Sequence, residues 1–190
     1  MLMNAKDGGT RKYIMVQLPE VVEGNANYET ICDIGEERIR RAARKIAEEH
    51  PDVQFDGGFR VFKLDSTNMK DVYYAPTEYN QEMLSILESN IKDDRTDLDL
   101  LFGCLLEWGL PLSLPYKSEK IDGCTVHNYN DGDLIACFDE NIPDSVIKAI
   151  AKMQPLRAVF RDSGFAGSPA KINVEEIFKL MAPDTSVKVI

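Results

Sequence analysis

The chain has 190 residues, 44% hydrophobic and 28% charged, which is ordinary for a soluble globular protein and enough for one large domain or two small ones. Its formal net charge of −10 opposes the phosphates of nucleic acid, so the body of the chain is not built to grip DNA by charge. No apolar run approaches the ~18 residues of a membrane span, and the N-terminal residues lack the charged-then-apolar form of a signal peptide, which places the expected compartment in the cytoplasm, away from membrane.

Residues 1–10, MLMNAKDGGT, read as the end of a helix stopped by Gly8-Gly9. Tyr13 to Leu18 is a short apolar run with one polar interruption, the pattern of a buried strand, and Pro19 ends it. VVEGNANYE is polar and small and reads as a loop. Ile31, Ile34, Ile39, Ala42, Ala43 and Ile46 then recur at three- and four-residue steps, predicting an amphipathic helix to about Glu49. FRVFKL, residues 59–64, alternates apolar and basic side chains like a strand with one exposed face, and DSTN follows as a turn. Helix end, strand, helix, strand is a piece of an alternating α/β unit with a parallel sheet.

The pattern breaks at about residues 70–80. Two helices are predicted next, near Gln81 to Lys92 and Thr96 to Trp108, the second with an apolar stripe of Leu98, Leu101, Leu105 and Trp108. GLPLSLP ends it, and EKIDGCTVHNYNDGDLIACFDENI reads as a β-meander with turns at Asp122-Gly123 and Asp131-Gly132. PDSVIKAIAKM is a helix with Pro and Asp at its start, LRAVFRD a strand, NVEEIFKLM a helix entered at Asn173, and SVKVI a last strand. The second half is thus a small α/β domain of its own.

Chemistry is sparse in these residues. Cys32, Cys104, Cys124 and Cys137 form no CxxC pair, and with only His50 and His127 beside them no zinc-ligand spacing can be assembled, so reduced and mostly buried thiols are expected. Gln17 and Glu20 stand at the end of the first strand, where nucleotide-type folds place an acid that accepts hydrogen bonds from ribose hydroxyls; a solvated loop carboxylate is the simpler reading of Glu20. RIRRAARK gathers Arg38, Arg40, Arg41, Arg44 and Lys45, a run that can meet phosphates, but the flanking Glu36, Glu37, Glu48 and Glu49 favour a solvated face of i,i+4 pairs. Arg161, Asp162 and Ser163 follow a strand with no histidine adjacent, which favours a buried or interfacial Arg-Asp pair over a catalytic group. There is no Walker loop, GxSxG or HExxH, and no self-sufficient catalytic constellation.

KDGGTRKYIMVQLPE, TICDIGEERIRRAARKI, GFRVFKLDSTNMKDVYY, DGDLIACFDENI, LRAVFRDSGFAGSPAKINVEEIFK and the terminal VKVI together resemble one family, over essentially the whole chain. It is the modification subunit of type III restriction-modification systems, a site-specific adenine DNA methyltransferase. The resemblance implies an α/β fold in which residues 1–75 are the C-terminal part of a methyltransferase domain that uses S-adenosylmethionine, a partial Rossmann-like sheet. Residues 76–190 would be a small α/β assembly domain. In the family the catalytic DPPY motif and the Gly-rich cofactor turn precede the VQLPE strand, so the 190 residues are expected to be a C-terminal fragment, inactive alone. Carried over to this chain, Gln17 stands where related enzymes often have the ribose-binding acid, Glu20 can take over that role, and Asp65 closes a strand near where such folds bind the cofactor's adenine ring. DNA would be reached through upstream regions, and the expected partners are the restriction subunit and a second copy in a homodimer. A free-standing, non-catalytic interaction module for subunit assembly is the alternative.

Overall fold

A computed structural model describes residues 1–24, 27–70, 90–165 and 167–190 and divides the chain into two compact units, Met1–Lys63 and Leu64–Ile190. The domain division expected at residues 75 and 76 lies outside the described residues.

In the first unit, α1 (Leu2–Asp7) stops at Gly8, whose φ of 67° is the left-handed cap conformation that glycine adopts without a Cβ clash. Asn4 and Asp7 then hold the returning chain: Asn4 donates to the Arg11 carbonyl at 3.0 Å, and Arg11 grips the Asp7 carboxylate at 2.9 and 2.7 Å. The long helix α2 (Ile31–Glu49) opens with a capping box, in which the Thr30 hydroxyl accepts from the Asp33 N–H and the Asp33 carboxylate accepts from the Thr30 N–H. Phe59 lies beneath the Arg40 guanidinium at 5.5 Å, and Gly57 lets the chain approach Ala43.

Tyr13 to Leu18 and Phe59 to Leu64, both predicted as strands, belong to no ladder among the described residues. The nearest pairing is a single antiparallel bridge, Val21 with Thr30. Their apolar side chains face water, Ile14 at 94% and Val16 at 93% exposure. A strand needs a neighbouring strand to pair with along its length, and no ladder among the described residues includes these two segments. Ala5 and Ile46 are the only fully buried apolar side chains among the described residues of this unit.

The second unit is a mixed α/β structure around one five-stranded sheet. Its elements are α3 (Asp97–Glu107), β1 (Tyr116–Ile121), β2 (Cys124–Tyr129), β3 (Leu134–Cys137), α4 (Asp144–Lys152), β4 (Arg157–Phe160), α5 (Ser168–Met181) and β5 (Ser186–Val189). The strands lie in sequence order, β1 to β3 antiparallel and β3 to β5 parallel. The meander turns need positive φ, supplied by Asp122 and Gly123 at the first and by Asn130, Asp131 and Gly132 at the second. The two parallel steps run through α4 and α5, which pack on each other and cover one face with Val146, Ile147, Ile150, Val174, Ile177 and Phe178. α3 covers the other face with Leu100, Leu101, Cys104 and Leu105 against Tyr129, Leu134, Ala136 and Val159. Buried Tyr129 keeps its hydroxyl satisfied by donating to the Pro111 carbonyl and accepting from the Leu114 N–H at 3.1 Å, which straps the GLPLSLP segment down.

Three local readings shift. Helix α5 starts at Ser168 rather than Asn173, because Pro169 falls in the first turn, where its missing N–H costs no hydrogen bond; Asn173 instead donates to the Asp144 carboxylate at 2.9 Å. The helix predicted for Gln81 to Lys92 lies outside the described residues through 89, while Ile91 pairs with Met69 as an antiparallel bridge, flanked by Lys70 N–H to Asn90 at 2.7 Å and Lys92 N–H to Asn68 at 3.0 Å. In α3 the buried stripe is Leu100, Leu101, Cys104 and Leu105, with Leu98 on the exposed side. No helix among the described residues is long and apolar enough to cross a membrane.

Leu105→Ala is expected to cost the second unit about 2–5 kcal/mol, and Thr96→Ala, which removes the capping box with Asp99, about 1 kcal/mol. Leu98→Ala should stay within about 0.5 kcal/mol. Urea unfolding followed by the fluorescence of Trp108, the sole tryptophan, checks all three.

Candidate functional site

Gln17 and Glu20 sit where the first unit's chain turns into α2. The turn is fixed by backbone: Glu20 N–H donates to Leu18 at 2.9 Å, and the Glu20 carbonyl accepts from Ile31 N–H, the first helical donor, at 2.9 Å. The Cys32 thiol lies 3.7 Å from the carbonyls of both Gln17 and Leu18, holding the approaching segment against the first turn of the helix. The Glu20 carbonyl satisfies the Ile31 N–H, which the helix itself cannot pair. Gln17 donates its side-chain amide to the Leu18 carbonyl at 3.1 Å, and its amide oxygen takes no hydrogen bond among the described residues. The exposed Glu20 carboxylate has no partner among them either. An acceptor amide and a carboxylate three residues apart on one rigid turn are groups able to accept from paired hydroxyls.

Asp65 belongs to the second unit, in a polar knot that the sequence did not announce. Its carboxylate accepts from Ser66 N–H at 2.6 Å and lies 3.3 Å from Arg95. Arg95 is the centre: its side chain is only 8% exposed, pairs with Asp94 at 2.9 Å and reaches the Ser66 hydroxyl at 3.0 Å, while Lys92 donates to the same hydroxyl at 2.8 Å. The Ser66 N–H, and after it the Arg95 charge, hold Asp65 below the usual carboxylate range. Asp65 therefore fastens the chain around the Met69–Ile91 bridge. Arg95 was hidden in DDRTD, where the adjacent acids make it look like one more solvated charge.

Several of the other charged candidates are paired within the fold. The α2 arginines pair along the helix, Arg40 with Glu36 and Arg41 with Glu37 at 2.7 Å each, as a solvated face does. Asp162 pairs with Lys171 at 2.5 Å across the loop into α5. One arrangement arises only in space. His127, 4% exposed, accepts or donates at Nδ1 with the Ser118 hydroxyl at 2.8 Å and at Nε2 with Asp97 at 3.5 Å. Ser118 stands directly opposite His127 in the β1–β2 ladder, and Asp97 is the first residue of α3. The ring bridges a strand and a helix start while packed beside Phe138, which makes the trio a brace rather than a nucleophile poised at a cleft.

Arg95→Met should raise the Asp65 pKa part of the way back to the usual carboxylate range, as read by carbon-13 NMR titration. Because the folded pKa of Asp65 is depressed, its stabilisation is present above the unfolded value and lost as pH falls through the folded one. The variant should weaken that acid-side dependence without abolishing it, since the Ser66 N–H still holds the carboxylate, and should lower the exchange protection of the Lys70 and Lys92 amides.

No family model matches the chain. Over 69 residues, 34% of the chain, it is 35% identical to the type III restriction-modification enzyme StyLTI Mod subunit of Salmonella typhimurium. That stretch amounts to 11% of the Mod subunit's length, so the likeness is partial and distant.

Proposed function

We propose that the chain is part of a site-specific adenine DNA methyltransferase of a type III restriction-modification system, the kind of enzyme that moves a methyl group from S-adenosylmethionine to a DNA adenine. The observation that carries this reading is the 69-residue likeness to a Mod subunit. On this reading residues 1–75 contribute to a Rossmann-like methyltransferase sheet and residues 76–190 form the assembly domain. The segments Tyr13 to Leu18 and Phe59 to Leu64, which join no ladder among the described residues, fit strands of a larger sheet. Burying Ile14, Val16 and Leu18 would release about 1.5–3 kcal/mol each, a sum comparable with the stability of a whole domain.

Gln17 and Glu20 are the groups proposed to meet the ribose hydroxyls of the cofactor, on the turn into α2. Asp65 is the more constrained candidate, since its contact with an adenine ring would compete with Ser66 and Arg95. Methyl transfer to an adenine amine needs a flipped base, held at its amine, and a sulfonium aligned for attack. The 190 residues contain no DPPY tetrapeptide to hold that amine. The chain is accordingly proposed to be inactive alone and to bind the restriction subunit. The second reading, a non-catalytic assembly module, draws on the fully enclosed core of the second unit.

Two measurements on the purified chain test this. Equilibrium dialysis with labelled S-adenosylmethionine should give no saturable binding at micromolar cofactor; micromolar affinity would overturn the inactive-fragment reading. Co-expression with the restriction subunit encoded in the same genome should give co-elution on size exclusion, and separate elution would sink the assembly role.

A further inference from the structure

We propose that Cys124, Cys137 and Asp139 form a three-ligand site for a thiophilic divalent cation of the zinc class, with water as the fourth ligand. The proposal stands independently of the methyltransferase reading.

The β2–β3 ladder assembles the site. The ladder runs from Tyr129 and Leu134 to His127 and Ala136, which brings the start of β2 at Cys124 beside the end of β3 at Cys137, with Asp139 in the segment just after it. Cys124 and Cys137 both belong to the core on the α4–α5 side of the sheet. The two sulfurs and a carboxylate oxygen lie within 4.8 Å of one another. A tetrahedral zinc with sulfur at about 2.3 Å and oxygen at about 2.1 Å sets its ligands about 3.6–3.8 Å apart, so rotamer adjustments suffice to close the set. The Thr125 N–H donates to Asp139 and aims its carboxylate back over the thiols, the second-shell arrangement that ligating carboxylates adopt.

Donor chemistry selects the ion. Two sulfurs and one carboxylate suit zinc or cadmium and reject magnesium and calcium, which take oxygen alone. Cys124 is 7% exposed and Asp139 half-buried, so entry is from the carboxyl end of β3. Spacing along the chain gives no hint of this, because ligands 13 residues apart meet only through strand register. Cys104 is buried on the opposite face and Cys32 lies in the first unit, which makes both of them controls.

The test titrates the reduced, metal-free chain with cadmium in excess calcium, reading the ultraviolet thiolate-to-cadmium band, and then with zinc against a chromogenic chelator. The expected result is one ion per chain, with affinity lowered by at least about tenfold in Cys124→Ser and in Asp139→Asn, both checked for native circular dichroism, and unchanged in Cys104→Ser and Cys32→Ser. Absence of the band, its survival in Cys124→Ser, or full affinity in Asp139→Asn would overturn the site.

Discussion

All four side chains of β3 are buried, Leu134 and Ala136 toward α3 and Ile135 and Cys137 toward α4 and α5, so neither face of the sheet can be left to water. That two-sided burial organises the second unit. It requires a parallel step on each crossover, which brings both α4 and α5 to one face, and it leaves the opposite face to the helix that precedes the meander. Within this arrangement His127, Tyr129 and Asp139 are satisfied by Ser118 and Asp97, by Pro111 and Leu114, and by Thr125, whereas the buried Asn128 Oδ1 takes no hydrogen bond among the described residues.

The first unit has no such constraint to satisfy. Its described residues hold one long capped helix, one short one and two apolar segments with no ladder. What fixes it is local: the Asn4–Arg11 and Asp7–Arg11 contacts, the Thr30 box, and the carbonyl of Glu20 on the start of α2. Contacts of this kind are short in sequence separation and order a turn without enclosing a core. The unit therefore presents an accurate helix entry and an uncovered apolar flank, the two features a larger sheet would use.

Legibility in the sequence follows the range of the interaction. α1, α2, α3, the meander and β5 were readable because periodicity, caps and Asp-Gly turns act within a few residues. Ser168 was missed since Gly-Ser-Pro signals a loop and a helix start with equal force, and only the chain's return toward Asp144 decides between them. Tyr13 to Leu18 has the composition of a strand, but composition states a demand for a neighbour and does not supply one. The Arg95 knot, the His127 brace and the Cys124–Cys137–Asp139 cluster escaped reading because each joins residues through register or across the Met69–Ile91 bridge.

A further asymmetry bears on where cofactor chemistry would lie. In the second unit three acids are held by the fold: Asp65 by Ser66 and Arg95, Asp99 by Thr96, Asp162 by Lys171. Each would surrender an ion pair or a cap in order to take a ligand, and a ligand must then exceed that loss before it binds at all. Gln17 and Glu20 face less competition: Gln17 engages its amide N–H alone, with the Leu18 carbonyl, and the Glu20 main chain is held by Leu18 and Ile31. A binding group whose position is fixed by backbone and whose side chain remains available is pre-organised without being occupied. By that criterion the proposed ribose contact of Gln17 and Glu20 asks less of the fold than the proposed adenine contact of Asp65.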